Sequence, residues 1–559
     1  MRISTLLLAL LLFAPAALAQ GPATATVIQG DITTNRTLTN DQQYRLVGFV
    51  RVMEGATLTI QPGTIIYGDE DSDGTLIVMR GARINAEGTP DRPIVFTSQR
   101  PIGERQPGDW GGIILLGRAS INTATGTLNV EGVPPSVGAI GGGGANPDDN
   151  DNSGVMRYVR IEFGGEELSP NNEINGLTMA GVGRGTTIEY VQVSYNDDDA
   201  FEWFGGTVNG RYLISLGAVD DDFDTDLGWR GNVQYGLVVR DPALADAASG
   251  GRSNAFETDN APNDATGATA TPRSAGNFSN VTVIGPIGQA ATIAQPYQSG
   301  ILLRTGTNTS VYNSIVMGFP EGLRINGQPA VDQANAGNLQ VRNTLVTGNF
   351  ASNVSGYSAE NFFRTAGFGN QTAASPQAVG LVNPFLHALA DRRQFDPRPA
   401  SGSVAAQMQP SFNNTRLPEA VPGGVPGLFA RTSFVGAFAP DGTRWDLPWA
   451  NYDPQNVDYA AGSTSNEDVA VNGGLKLSQN KPNPFTNATM IEFTLAEAQH
   501  IRLAVYDLLG REIEVLHDGL HTAGNGYFRF EAASLPAGTY LVRLQNAEGS
   551  QVQRITVAR

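Results

Sequence analysis

The sequence predicts an all-β protein in two parts, a long stack of β coils followed by a small antiparallel β-sandwich. Three observations carry this. Short β-branched runs punctuated by Gly, Asn and Asp dominate, with 67 Gly and 32 Pro in 559 residues, and segments of helical period are almost absent. Tyrosines recur at a constant interval: Tyr190 to Tyr212 is 22 residues and Tyr212 to Tyr235 is 23. From Leu475 onward the pattern becomes two-residue alternation broken by Gly and Pro turns.

The chain opens on Met1-Arg2, an apolar run from Leu6 to Leu18, and Ala17-Leu18-Ala19 before Gln20. A positive start, a short apolar core and small residues near the end make a secretory signal peptide, 1–19, cleaved after Ala19. The run is too short to span the ~30 Å of a bilayer core, and no later stretch is long enough. The mature chain is therefore expected to carry no transmembrane segment. The net charge is −18, with 54 acidic against 36 basic residues. That balance argues against nucleic acid, whose phosphates select basic faces, and suits divalent cations. There is no cysteine, so an exported chain must gain its stability without disulfides.

Residues 20–450 are expected to form the coil stack. Ala56 to Gly68, Gly74 to Gly88 and Pro93 to Ser98 are early units; Ile188 to Tyr195, Arg211 to Leu216 and Val233 to Val239 are later ones. A 20–50-residue period of short strands reads as a solenoid, in which each coil buries its apolar face only against its neighbours. Roughly 13–16 coils, ~4.8 Å apart, would give a rod of order 70 Å. A propeller blade would need ~40–50 residues and hairpin turns. The stretches 138–151, 241–275 and 358–378 lack apolar anchors and read as mobile inserted loops. The aromatics in 391–450, Phe434, Phe438, Trp445 and Trp449 among them, read as a plug closing the last coil.

The phrase from Gly74 to Ser98 resembles the opening coils of right-handed parallel β-helices of the pectin-lyase-like class. The resemblance implies the right-handed winding. It does not carry an activity: the Gly-His-Gly and Arg-x-Lys motifs of galacturonan hydrolases are missing, although pectate-lyase-like enzymes combine Asp-bound Ca²⁺ with a basic residue and Arg211, Arg230 and Arg252 are close in sequence.

Residues 451–474 read as a polar linker, and 475–559 as an immunoglobulin-like sandwich of about seven strands. Asn483-Pro484-Phe485, Val505 to Glu512 and Leu535 to Tyr540 resemble, in this order, the C-terminal sorting domain of the type IX secretion system. The resemblance implies type IX machinery as a partner, passage across an outer membrane, and a final place outside the cell or on its surface.

The candidate chemistry lies between Asn196 and Glu257. Asp197 and Asp220 are 23 residues apart, one coil. Aligning Ala200-Phe201-Glu202, Asp222-Phe223-Asp224 and Ala255-Phe256-Glu257 stacks Glu202, Asp224 and Glu257 as a carboxylate ladder. Stacked like charges repel by order 1 kcal/mol or more at surface dielectric. A Ca²⁺ ion, which takes 6–8 oxygens in flexible geometry, would offset this, with Asp198, Asp199, Asp221, Asp222, Asp224 and Asp226 as ligands. A carboxylate pair with a raised pKa and a solvated acidic turn are the other two readings. Trp203 and Trp229, with Glu202 and Glu257, would form a ligand-binding strip if exposed. With four histidines, three of them after residue 499, and no cysteine, a zinc site or a Ser-His-Asp set is not convenient. The expected role is a non-enzymatic surface protein binding a polysaccharide or another cell-surface polymer; the alternatives are a Ca²⁺-dependent polysaccharide lyase or hydrolase at Asp198–Asp226, and a purely structural passenger.

Overall fold

The structure is a computed structural model that describes residues 25–169, 172–247, 251–417, 429–459 and most of 475–558. The expected signal peptide, 1–19, and positions 460–474 of the expected linker lie outside the described residues. The chain divides into two compact units between Thr464 and Ser465.

The first unit is a parallel β-helix. Twenty-six of its described strands join one sheet system. Eleven successive parallel pairings link twelve strands, from Thr26–Ile32 to Gln371–Thr372. This is fewer coils than the roughly 13–16 expected from the repeat period, because longer connections take up the remaining residues. Inward-facing residues alternate with outward ones along each strand. Leu177, Met179, Phe201, Trp203, Phe223 and Phe256 all lie in one continuous core.

The tyrosine interval marks a corner. Tyr158, Tyr190, Tyr212 and Tyr235 take φ of 51°, 53°, 58° and 65°, and Asn280, Asn313 and Asn343 continue the position at 57°, 49° and 49°. Here each long strand bends from one sheet into the next. Left-handed backbone costs an ordinary residue about 1–2 kcal/mol, and Asn tolerates it best. The tyrosines gain by stacking: their rings lie 4.4, 4.3 and 4.9 Å apart along the ladder.

What covers this corner departs from the expected plug. The segment 429–459 runs lengthwise, back along the coils. Phe434 and Gly436 carbonyls accept from Asn280 Nδ2 at 3.0 and 3.3 Å. Trp445 packs on Tyr212, and Trp449 packs edge-on against Tyr158 and Tyr190. Gln234 and Gln192 extend the sheet sideways with their amides. Ala430 N–H donates to Gln234 Oε1 at 2.8 Å and Gln234 Nε2 donates to Ala430 O at 2.7 Å; Asn451 pairs with Gln192 in the same way at 2.8 and 2.6 Å. Asn451, Tyr452 and Tyr459 are buried, so the first residues of the expected linker belong to this strap. Tyr459 ends it, donating to Glu162 Oε1 at 2.8 Å.

The stretch 241–275, expected as a loop without apolar anchors, instead contains the strand Phe256–Thr258 of the main sheet, with Ala255 and Phe256 in the core, and described parts of the other two expected loops are packed. Asp149 holds Ser120 and Arg230. The helix Ala359–Phe363 buries Phe362 and Phe363 against the end of the core, so this loop supplies the cap assigned above to 391–450.

The second unit has seven described strands in two antiparallel sheets. Ile491 and Phe493 of one sheet and Leu503, Val505, Val542 and Ile555 of the other share a single core, which makes a small sandwich. Phe485 is buried there, and Tyr540 OH donates to Pro536 O at 3.0 Å.

Candidate metal centre on the acidic ladder

The expected ladder forms. Leu177–Ala180, Phe201–Phe204, Phe223–Asp226 and Phe256–Thr258 pair in parallel, with Thr178, Glu202, Asp224 and Glu257 in one register. Phe201, Phe223 and Phe256 take the core face, so alternation turns the three carboxylates the other way.

A second ladder runs through the turn that precedes these strands. Asn175 Oδ1 accepts the Asp199 N–H at 3.2 Å, Asp199 Oδ1 the Asp221 N–H at 2.8 Å, Asp221 Oδ1 the Asn254 N–H at 2.5 Å, and Asn254 Oδ1 the Ser299 N–H at 3.0 Å. Any Asx side chain can satisfy the next coil's backbone in this way. The choice of Asp or Asn therefore decides the remaining atom. Asn175 donates its amide to Glu202, and Asn254 donates to Glu257 Oε2 at 3.1 Å. At the two middle coils the residue is Asp, which once ionised has no donor to offer. Asp224 faces this gap, and its Oδ1 is buried without a hydrogen-bond partner.

Three overlapping groups result: Asp198, Asp199 and Asp220; Asp199, Glu202 and Asp224; and Asp221, Asp224 and Glu257. In each group one oxygen per residue lies within 4.8 Å of the others. Such groups could hold a metal ion. Glu202, Asp199 and Asp221 are 4%, 5% and 2% exposed, while Asp198, Asp220, Asp224 and Glu257 keep part of their surface in solvent.

Burial drives the electrostatics. It pushes the carboxyls of Glu202, Asp199, Asp221 and Asp224 well above the usual range, with neighbouring carboxylates adding to the effect. Asp226 is pushed to about 7 by burial and then by Asp259. Glu257 also reaches about 7 through burial, despite the opposing pull of Arg304.

The model of the pectate-lyase like beta helix domain matches residues 30–379. The chain belongs to this family. The match covers the whole acidic ladder. The model of the secretion system C-terminal sorting domain matches residues 482–558, which supports export by the type IX machinery to the cell surface or the extracellular space. No described helix is long and apolar enough to cross a membrane. No curated protein matches the chain.

Within this pectate-lyase-like helix, several expected site residues lie elsewhere. Asp222 does not face the ladder. It sits in the corner before the strand, where alternation does not apply, accepts from Ser215 Oγ at 2.5 Å and pairs with the fully buried Arg240 at 3.2 Å. Asp226 lies at the far end of its strand, accepts from the Leu227 N–H at 2.5 Å, and belongs to none of the three groups. Trp203 and Trp229 are 1% and 0% exposed, 5.2 Å apart within the core, so they form no exposed strip. Arg230 holds Asp149, Arg211 lies over Tyr212, and Arg252 bonds Gly251 O.

The cation that does reach the ladder is Arg304. It pairs with Glu257 and, at 2.6 Å, with Asp259. Sequence reasoning missed it because it lies one coil further on, 45 positions beyond Asp259. It also left Asn175 and Asn254 out of the site; their spacing from Asp199 and Asp221, set beside the aligned Glu202 and Glu257, was the available signal.

Proposed function

We propose that this exported β-helix protein is a calcium-binding surface protein whose acidic ladder holds Ca²⁺ and, through it, an anionic cell-surface polysaccharide. The observation that carries the reading is the gap at Asp199 and Asp221, where the ionised Asx ladder offers no donor and Asp224 Oδ1 is left buried and unpaired. A buried acceptor without a partner costs about 1–3 kcal/mol, more when charged. A hard cation removes that cost for all the converging carboxylates together. The donor set is oxygen only, with no His or Cys in any of the three groups, which suits Ca²⁺ rather than zinc or copper. In this reading the mature chain starts at Gln20.

The test is solid-phase binding of the full chain to polygalacturonate and alginate, in CaCl₂ and in EDTA. Retention in CaCl₂ that EDTA abolishes supports the reading. Equal retention in both, or none in either, contradicts it.

A second reading, cleavage of an acidic polysaccharide at the same face, is favoured by the burial-raised carboxyls of Glu202 and Asp224, since a general acid needs a proton near neutral pH. Arg304 is not the base for it. Burial pulls its pKa down, but its two carboxylate partners together outweigh this and hold it above the usual value for arginine. New reducing or unsaturated ends released from the same polymers, and lost in Glu202→Gln, would establish this reading; intact polymers after long incubation would remove it.

A further inference from the structure

The three carboxylate groups are not independent. Asp199 belongs to two of them, and Asp224 belongs both to the group with Asp199 and Glu202 and to the group with Asp221 and Glu257. Glu202, Asp224 and Glu257 follow one another at coil spacing, so ions held on either side of Asp224 would lie about 5 Å apart. That is somewhat wider than the about 3.5–4 Å of catalytic two-metal sites, as expected where the spacing is set by the stacking of coils.

The row has two different ends. At the Glu202 end the next position in register is Thr178. Thr178 is 1% exposed, and its Oγ1 has no hydrogen-bond partner. Leu177 and Met179 take the core face of its strand, so Thr178 points the same way as Glu202 and presents an unpaired oxygen to the row. At the Glu257 end the next position in register is Leu302, which offers no ligand. There the Arg304 guanidinium lies between Glu257 and Asp259, with Nε 2.6 Å from Asp259 Oδ2. A cation is thus already built into that end of the ladder.

We propose that the ladder is a two-ion site. One divalent cation lies between Asp199, Glu202 and Asp224, a second lies between Asp221, Asp224 and Glu257, and Arg304 is the fixed cation that ends the row; Asp198 and Asp220, which lie outside the Glu202–Asp224–Glu257 register, take no ion of their own with Asp199. The proposal rests on the cation reading above and deepens it by setting the number of ions. Arg304 occupies the Glu257–Asp259 position permanently, so that pair does not take a third ion. Asp224, as the shared ligand, couples the two ions: occupancy of one removes repulsion from the carboxylate that the other needs.

The experiment is isothermal titration of the full, EDTA-stripped chain with CaCl₂, counting the ions that disappear in Asp224→Asn. Wild type should take two, and Asp224→Asn should lose both. Arg304→Gln should take a third or bind the second at least tenfold more tightly, because Glu257 is then released to the metal. Arg304→Lys, which keeps the charge, should keep two. Because Arg304→Gln removes two ion pairs and could fail to fold, wild type is also loaded with a Tb³⁺/Eu³⁺ mixture. Energy transfer between the two lanthanides, absent in Asp224→Asn, reports two ions at close range. No Ca²⁺ bound by wild type would overturn the cation reading itself. One ion in wild type without lanthanide transfer, or two ions of which Asp224→Asn loses only one, would overturn the two-ion inference alone. An Arg304→Gln chain that folds but titrates as wild type does would overturn the role given to Arg304.

Discussion

Replacing Trp449 by Ala tests whether the 429–459 strap is held by the tyrosine corner. Trp449 is 1% exposed. Its ring stands edge-on to Tyr158 and Tyr190, with centroids 6.1 and 6.0 Å away, and its Nε1 donates to Trp445 O at 2.8 Å. A buried Trp removes about 150–250 Å² from water, which at ~25 cal/mol per Å² is roughly 4–6 kcal/mol. The two edge contacts add about 0.5–1.5 kcal/mol each. Partial collapse around the vacated space returns some of this, and large-to-small Trp changes cost about 3–5 kcal/mol. The strap contributes no strand to the main sheet system, so the loss should fall on strap opening rather than on the coils. The assay is native-state hydrogen exchange. The Gly436 and Asn451 amides, which donate to Asn313 O and Gln192 Oε1, should exchange about 10²–10³ times faster, each 1.4 kcal/mol being tenfold. Core amides such as Val191 and Leu213 should be unchanged. A strap change under threefold, or equal acceleration of strap and coils, would refute the idea of a separately opening strap.

Other consequences follow from the same geometry. Asn280→Ala places an ordinary residue at φ 57° and deprives Phe434 and Gly436 of their donor. It should weaken strap closure by about 2–4 kcal/mol, read by the same exchange experiment; Asn280→Gly should lose less. Asp224→Asn should raise the melting temperature in EDTA at pH 8.5 by removing the charge between Glu202 and Glu257, and should leave the chain indifferent to CaCl₂; a lower melting temperature in EDTA would contradict this. Asp226 and Glu257 have folded-state values of about 7, above the unfolded carboxylate range of about 4. The folded state therefore binds more protons between these values, and stability falls as pH rises through that window. Without metal, melting temperature should drop between pH 4.5 and 7.5, and CaCl₂ should flatten the drop; a metal-free profile that rises over this range would be the opposite sign.

The carboxylate ladder was legible because Ala-Phe-Glu at 200–202 returns as Asp-Phe-Asp one coil interval later, at 222–224, and as Ala-Phe-Glu again at 255–257, and the register honours all three. The same alternation contained the correction to the tryptophan strip. Glu202 and Trp203 are neighbours on one strand and cannot share a face. Once Phe201 is inward, Trp203 is inward too. Asp222 resembles its neighbours in sequence, but it lies in a corner whose geometry is set by Ser215 and Arg240. The strap was not legible as a strap. Its contacts join residues such as Gln192 and Asn451, 259 positions apart, through side-chain amides that leave no periodic trace. Its aromatics announced burial without announcing where. Arg304 was hidden for a related reason: it lies 45 positions beyond its partner Asp259, so the coil interval does not point to it.

The central claim, that the acidic ladder is a metal site, is tested most directly by thermal unfolding of the full chain after EDTA treatment, with and without added CaCl₂. A ligand that binds only the folded state stabilises it by RT ln(1 + [L]/Kd), about 2.7 kcal/mol at a hundredfold excess over Kd. The first unit should melt several degrees lower in EDTA, recover with CaCl₂ in a concentration-dependent way, and recover far less with MgCl₂, whose octahedral demand a row of fixed carboxylates does not meet. Superimposable melting curves in EDTA and in millimolar CaCl₂ would contradict the claim and leave the ladder as a set of carboxyls held by protons.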